Sequence, residues 1–277
     1  MNKKICFYTP PPFPRVKSYF DMVDVAVEYG VPGIEGFCSL DFTNPDIEVA
    51  KRVREYADSK NIEVPCFSLF INITGVDSEE MVERLKKYAD VAKVLGSPYL
   101  HHTIVNEICN PDKVIPYKEE LFKKGIESVR KVYDYAESIG IRTIYEEQGY
   151  IFNGLEGYDR FLNEVNRDVG IVADFGNISQ AGGDFVEFVK KYADRVSHVH
   201  IKDVVLTDSN ESQTGLKTLT GQYMHEAEVG KGIVDMKSAF KILKEAGYQG
   251  YYALEYGAPS DDSPAIKNAL EFMDSLI

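Results

Sequence analysis

No apolar run in these 277 residues approaches the roughly 18 needed to span a bilayer. The N-terminal MNKKICFYTPPPFP carries two lysines, but its apolar stretch is only about five residues long before the prolines. A secretory leader needs an apolar region of roughly 7–15 residues. Cysteine is scarce. The four present (Cys6, Cys38, Cys66, Cys109) are widely separated and form no C-x-x-C pair, which disfavours a cysteine-held structural zinc. A reduced, cytoplasmic protein is the expectation. Positive charge is also short: 31 Lys and Arg stand against 44 Asp and Glu, a net charge of −13. No basic face is available for nucleic acid, and the acidity reads as solubility.

What is present is a repeated unit of short apolar strand and amphipathic helix, often closed by glycine. Strands are expected at ICFYT (5–9), GIEGF (33–37), EVPCFSLF (63–70), PYLHHTIV (98–105), IRTIYEE (141–147), VGIVADF (169–175), VSHVHIKD (196–203) and GYYALEY (250–256). They are rich in β-branched and aromatic residues and mostly apolar, as strands buried on both faces should be. Helical patterns fall between them at about 17–30, 46–60, 78–95, 117–139, 156–166, 184–193, 235–246 and 264–276. Gly30, Gly96, Gly140 and Gly247 stand where a helix end favours a left-handed residue. This alternation predicts an α/β fold with a parallel eight-stranded sheet closed into a single (β/α)8 TIM barrel over residues 1–277. No G-x-G-x-x-G follows the first strand, which removes the main argument for an open dinucleotide-binding sheet. Residues 204–233 form a long connection with little periodicity on the face where barrel active sites lie. A lid is expected there, with a plain insertion as the alternative.

The strand ends carry the chemistry. Strand five ends in Glu146-Glu147-Gln148, strand six in Asp174, strand seven in His200-Ile201-Lys202-Asp203 and strand eight in Glu255. An apolar strand has no structural need to finish in a carboxylate, and burying one unpaired is costly. Each alone is equally well a solvated strand end. Together they suit one divalent cation (Mn²⁺, Mg²⁺, Co²⁺ or Zn²⁺) at the barrel mouth. Glu35, ending strand two, is a substrate contact or a rim salt bridge. His101 and His102 point to opposite sides of strand four, so at most one faces the axis. His198, one layer below His200, reads as a core histidine, Ser68 as structural and Cys66 as a small buried hydrophobe. Tyr223, His225 and Glu226 lie in the long connection, exposed or closing over substrate. Gly182-Gly183 is a faint phosphate-turn candidate.

VSHVHIKD, followed by the turn VGKGIVD (229–235) and GYQGYYALEY, resembles the C-terminal signature of the xylose isomerase-like barrel superfamily. GIEGF, LGSPYLHH, IGIRTIYEEQG and VGIVADFGN follow in that family's order, so the resemblance spans nearly the whole chain. The group includes sugar isomerases and epimerases, hydroxypyruvate isomerases, inosose dehydratases and apurinic-site endonucleases. The resemblance implies a metal held by Glu146, Asp174, His200 and Glu255, with Glu147 as the alternative to Glu146. It implies Glu146 and Glu255 as the catalytic acid–base pair. Substrate contacts then fall to Glu35, His102, Asn177 and Lys202. Asn177 stands where many relatives carry histidine, and no arginine follows His200 within residues 201–211, which leaves Lys202 as the electrophilic contact. The implied activity is isomerisation or epimerisation of a ketose, polyol-derived or keto-acid substrate through a metal-stabilised enediolate, with dehydration or a non-catalytic ligand-binding barrel as alternatives. The endonucleases use three zinc ions and a basic groove, which five histidines and the −13 charge argue against. The expected partner is a small sugar or polyol rather than nucleic acid or membrane, and a second copy of the chain stays open as another.

Overall fold

A computed structural model describes residues 4–8, 15–105, 110–211, 213–256 and 263–277. Thr9 and Cys109, drawn into the sequence reading, lie outside the described residues. The eight expected strands form one parallel cylinder: Ile5–Phe7, a second strand in two pieces (Gly33–Ile34 and Gly36–Phe37), Cys66–Leu69, Tyr99–His102, Arg142–Glu146, Gly170–Asp174, Val196–Ile201 and Tyr252–Leu254. Each strand pairs with its neighbours in parallel, and Tyr252–Leu254 closes against both Val196–Ile201 and Ile5–Phe7. The second strand completes the ring by dividing its partners. Its first half pairs with strand one (Cys6 opposite Gly33) and its second half with strand three (Gly36 opposite Phe67). Glu35 sits at the break. Gly36 is required there, because a Cβ would collide with the Phe67 ring.

Eight helices surround the strands, at Tyr19–Tyr29, Ile47–Ser59, Ser78–Leu95, Lys118–Ser138, Gly154–Val165, Phe185–Tyr192, Met236–Glu245 and Ser263–Leu276, among the described residues. Ser18 caps the first by accepting from the Asp21 amide, and Gly30 ends it in the left-handed region at φ 66°. One large apolar core fills the space between cylinder and helices, from Phe7 and Val23 to Phe240 and Met273. Inside the cylinder the lower layers are small patches: Cys66, Ile144 and Val172, and Cys6 with Tyr251 and Ala253. Strand alternation carries each of these inward positions up to the mouth. Ile144 leads to Glu146, Val172 to Asp174, Ala253 to Glu255 and Cys6 to Tyr8.

The connection after strand seven is not irregular. It forms a three-stranded antiparallel sheet of Leu216–Lys217, Tyr223–Ala227 and Asp203–Thr207, with Ala227 opposite Asp203 and Tyr223 opposite Thr207. Strands of only two to five residues, mostly part-exposed, give too short an alternation to read from the sequence. The sheet is tied to the barrel by the Leu219 amide donating to the Gln180 carbonyl (2.9 Å) and the Tyr150 hydroxyl donating to the Lys217 carbonyl (2.8 Å). The Asp203 carboxylate anchors its far end, accepting from the amides of Gly230 (2.9 Å), Gly232 (2.8 Å) and Val234 (3.3 Å). The H-x-K-D and G-x-G pairing is therefore partly structural. A Cβ at Gly232 would strike the Asp203 carboxylate itself.

Candidate metal centre

Four side chains from strands five to eight meet at the upper end of the cylinder. Ligand atoms of Glu146, Asp174, His200 and Glu255 all lie within 4.8 Å of one another. They gather round one ring nitrogen: His200 Nδ1 is 3.2 Å from Glu146 Oε2, 3.5 Å from Glu255 Oε2 and 3.9 Å from Asp174 Oδ2. Donors about 2.1 Å from a common ion stand roughly 3–4 Å apart, so this spacing suits one divalent cation.

Each donor is aimed by its own local structure. Asp174 Oδ1 accepts from the amides of Gly176 and Asn177, both at 2.8 Å, which turns Oδ2 into the cluster. His200 Nε2 lies 3.1 Å from Glu35 Oε1, and a carboxylate behind a ligating imidazole fixes its tautomer and orientation. Lys202 Nζ approaches Glu255 Oε1 (2.5 Å), Asp174 Oδ2 (3.3 Å) and Asn177 Oδ1 (3.3 Å).

The charges suit a cation at this position. Burial pushes Glu255 up to about 8, reinforced by the charges of Asp174 and Glu146 and opposed by the Lys202 ammonium and His200. Burial also works against charge on Asp174, yet Lys202 and His200 hold it below the usual carboxylate range. His200 is disfavoured as a cation by burial, but Glu35, Glu146 and Glu255 raise it well above an ordinary histidine. Lys202 is likewise kept charged by Asp174, Glu255 and Glu146 against the cost of burial. Three converging carboxylates thus draw protons onto their neighbours, and a divalent ion is the other way to supply that charge.

Glu146 and Glu255 of the cluster line a cavity of about 410 Å³, together with Tyr8, Phe37, Phe70, Met224, Gln148, Asn177, Gln180 and Lys202. A larger cleft of about 870 Å³ opens at the opposite end of the cylinder. It holds none of the four donors, so the smaller cavity is the relevant one.

The profile of the family described as Xylose isomerase-like TIM barrel matches residues 23–276. The chain belongs to this family. Among curated relatives, an inosose dehydratase of Clostridium perfringens is 28% identical over 238 residues, covering 82% of this chain and 78% of that protein. Among solved structures, the 3-keto-D-glucoside 4-epimerase YcjR of E. coli superposes with a TM-score of 0.77 at 16% identity, covering 99% of this chain and 100% of that one. The IolI protein with a bound zinc atom superposes with a TM-score of 0.75 at 20% identity, covering 99% of this chain and 97% of that one.

Within this xylose isomerase-like barrel, two expected substrate contacts are corrected. Glu35 does not face the cavity. Its fully buried carboxylate lies beneath the metal cluster, accepting from Ser68 and lying 2.7 Å from His198 Nε2 as well as against His200. The break in strand two turns it inward as a support. Burial alone would raise it, but His200 and His198 hold Glu35 well below the usual range. His102 points outward to the helices, with Nε2 2.9 Å from the Tyr145 hydroxyl and Nδ1 2.9 Å from the Thr103 carbonyl. Its neighbour His101 faces the cavity instead. Glu147 also points outward, fully buried, and neither oxygen has a hydrogen-bond partner. Asn177 and Lys202 do line the cavity. Gly182-Gly183 lines a surface cleft of mixed charge, with Glu119, Glu156, Asp184 and Glu187 beside Lys118 and Arg160, apart from the four donors. Tyr8, Gln180 and Thr103 line the cavity without having been singled out. Strand-end position was the available signal for Tyr8 and Thr103.

Proposed function

We propose that this chain is a divalent-metal-dependent enzyme that removes a proton from the carbon beside the carbonyl of a small, uncharged polyhydroxy ketone and expels water. One observation carries the reading: Glu146, Asp174 and Glu255 converge on His200 Nδ1 at the end of a cavity that also holds the Lys202 ammonium. A bound divalent ion would be held by Glu146, Asp174, His200 and Glu255, and would stabilise negative charge developing on the substrate's oxygens.

The chain's own residues supply the proton transfers. Glu146, beside the imidazoles of His200 and His101, takes the proton from carbon. Glu255 sits in a different setting, paired with Lys202, so the two glutamates are not interchangeable bases. Lys202 Nζ gives a proton to the departing hydroxyl as its C–O bond breaks, leaving a double bond conjugated to the carbonyl. Asn177 holds Lys202 on the polar wall. Of the described side chains lining the cavity, Lys202 alone is a Lys or Arg, and Asp174 and Glu255 pair with it, which favours an unphosphorylated substrate. The dehydratase name of the 28% identical relative agrees with this outcome.

Isomerisation or epimerisation is the second reading. It is favoured by Glu146 and Glu255 facing one cavity from strands separated by two others in the ring. The metal-loaded protein incubated with an inosose and with ketohexoses in D₂O separates the two. A product lighter by one water supports dehydration, and an isomer or epimer of unchanged formula carrying solvent deuterium supports the second reading. No reaction with or without metal would sink both. Three free cysteines among the described residues accord with a reducing compartment, and we place the protein in the cytoplasm.

A further inference from the structure

His101 plays no part in the metal cluster or in the proton transfers above. It is buried at 2% exposure on the floor of the cavity, and its Nε2 has no hydrogen-bond partner. An unmatched buried polar atom is costly, so its persistence calls for a missing partner.

The neighbouring bonds settle which ring nitrogen carries the hydrogen. The Ser68 hydroxyl has one hydrogen and donates it to Glu35 Oε1. The Ser68 oxygen is then an acceptor towards His101 Nδ1, 3.1 Å away, so Nδ1 is the protonated nitrogen. Nε2 is left as a bare lone pair, 3.8 Å from Glu146 Oε1 at the cavity floor. The ring is held in place edge-on against His200, with centroids 5.3 Å apart.

We propose that His101 is a hydrogen-bond acceptor for a hydroxyl of the bound substrate, its tautomer set by the Ser68–Glu35 relay. The partner chemistry is a neutral hydroxyl donor beside the reacting carbon, because a carbonyl or carboxylate oxygen has no hydrogen to give. His101 thereby selects a hydroxylated ketone over its deoxy analogue. This deepens the polyhydroxy-ketone reading and rests on it for the identity of the substrate, while the tautomer and the hydroxyl contact can be tested without turnover. Ser68 and Glu35 act as positioning residues.

The test uses zinc-loaded protein with ¹⁵N-labelled histidine. A resonance of unprotonated Nε2 is expected that vanishes in His101→Gln and shifts when glycerol or a cyclitol is added. Ser68→Ala should move that ring towards the opposite tautomer, and His101→Gln should keep its metal. On any ketone the protein turns over, His101→Gln should lose about three- to tenfold in kcat/KM, the range set by one neutral hydrogen bond. The inference is overturned by an Nε2-protonated or doubly protonated ring, by loss of metal in His101→Gln, or by a signal that neither polyol moves. Absence of turnover with the tautomer and polyol shift intact would count against the proposed reaction and leave the His101 assignment standing.

Discussion

At the scale of single residues, two buried carboxylates in the same barrel have opposite fates. Glu35 is surrounded by donors and stays ionised, whereas burial pushes Glu147 well above the usual carboxylate range, with Asp174 adding to the rise. The folded pKa of Glu147 therefore exceeds the unfolded one. As pH climbs from the unfolded pKa, the unfolded chain releases this proton and the folded chain keeps it, so stability falls by up to about 1.4 kcal/mol per pH unit until the folded pKa is reached. Glu147→Gln should abolish that decline. Urea midpoints at pH 5 and pH 8 should show the variant gaining on the parent at the higher pH, and an equal gap at both would contradict the assignment. For the metal cluster, His200→Ala should reduce metal per chain on dialysed protein by tenfold or more in affinity, since it removes the donor round which the three carboxylates gather.

At the scale of elements, the sheet after strand seven depends on a single carboxylate. Asp203 accepts from three amides of the turn that leads into helix Met236–Glu245. Gly232→Ala would force a Cβ into that carboxylate and should cost about 1–3 kcal/mol. Protease cleavage within 204–233 should accelerate in Gly232→Ala and in Asp203→Ala, with the barrel core surviving as a fragment, because the eight barrel strands pair independently of this sheet. Unchanged cleavage would mean that the Gln180 and Tyr150 ties alone hold it down. The barrel elements themselves were legible for a physical reason. Strands buried on both faces must be apolar throughout, and amphipathic helices between them show their period, so alternation and glycine stops carry the signal. The positive φ of Gly140 (80°) and Gly247 (81°) follows from those stops. The short antiparallel strands, half exposed, carry no such pattern.

At the scale of the whole molecule, a metal held by these four donors would be coupled to folding, because residues 146 to 255 come side by side only when strands five to eight pair. A divalent ion that binds the folded chain alone should stabilise it by about 2.7 kcal/mol at a hundredfold excess over Kd. Thermal unfolding with Mn²⁺, Mg²⁺, Co²⁺ or Zn²⁺ should rise in Tm for the parent, fall back with chelator, and respond little in His200→Ala. A parent indifferent to every ion would refute a folded-state metal site.

The linear sequence by itself determined the fold class, the eight strand–helix units and the strand-end positions of Asp174, His200, Glu255 and the Glu146-Glu147 pair, of which the structure brings Glu146 to the cluster. These follow from local periodicity and from the cost of ending a buried strand in a charge, which are readable residue by residue. Only the tertiary structure decided between His101 and His102, turned Glu35 from the cavity to the support of His200, and folded residues 203–227 into a sheet. Each of those depends on parity at a strand end, on a break where the cylinder closes, or on partners distant in sequence. A choice between two faces of a strand is worth nothing locally and acquires its energy only when the barrel gives one face a cavity and the other a helix.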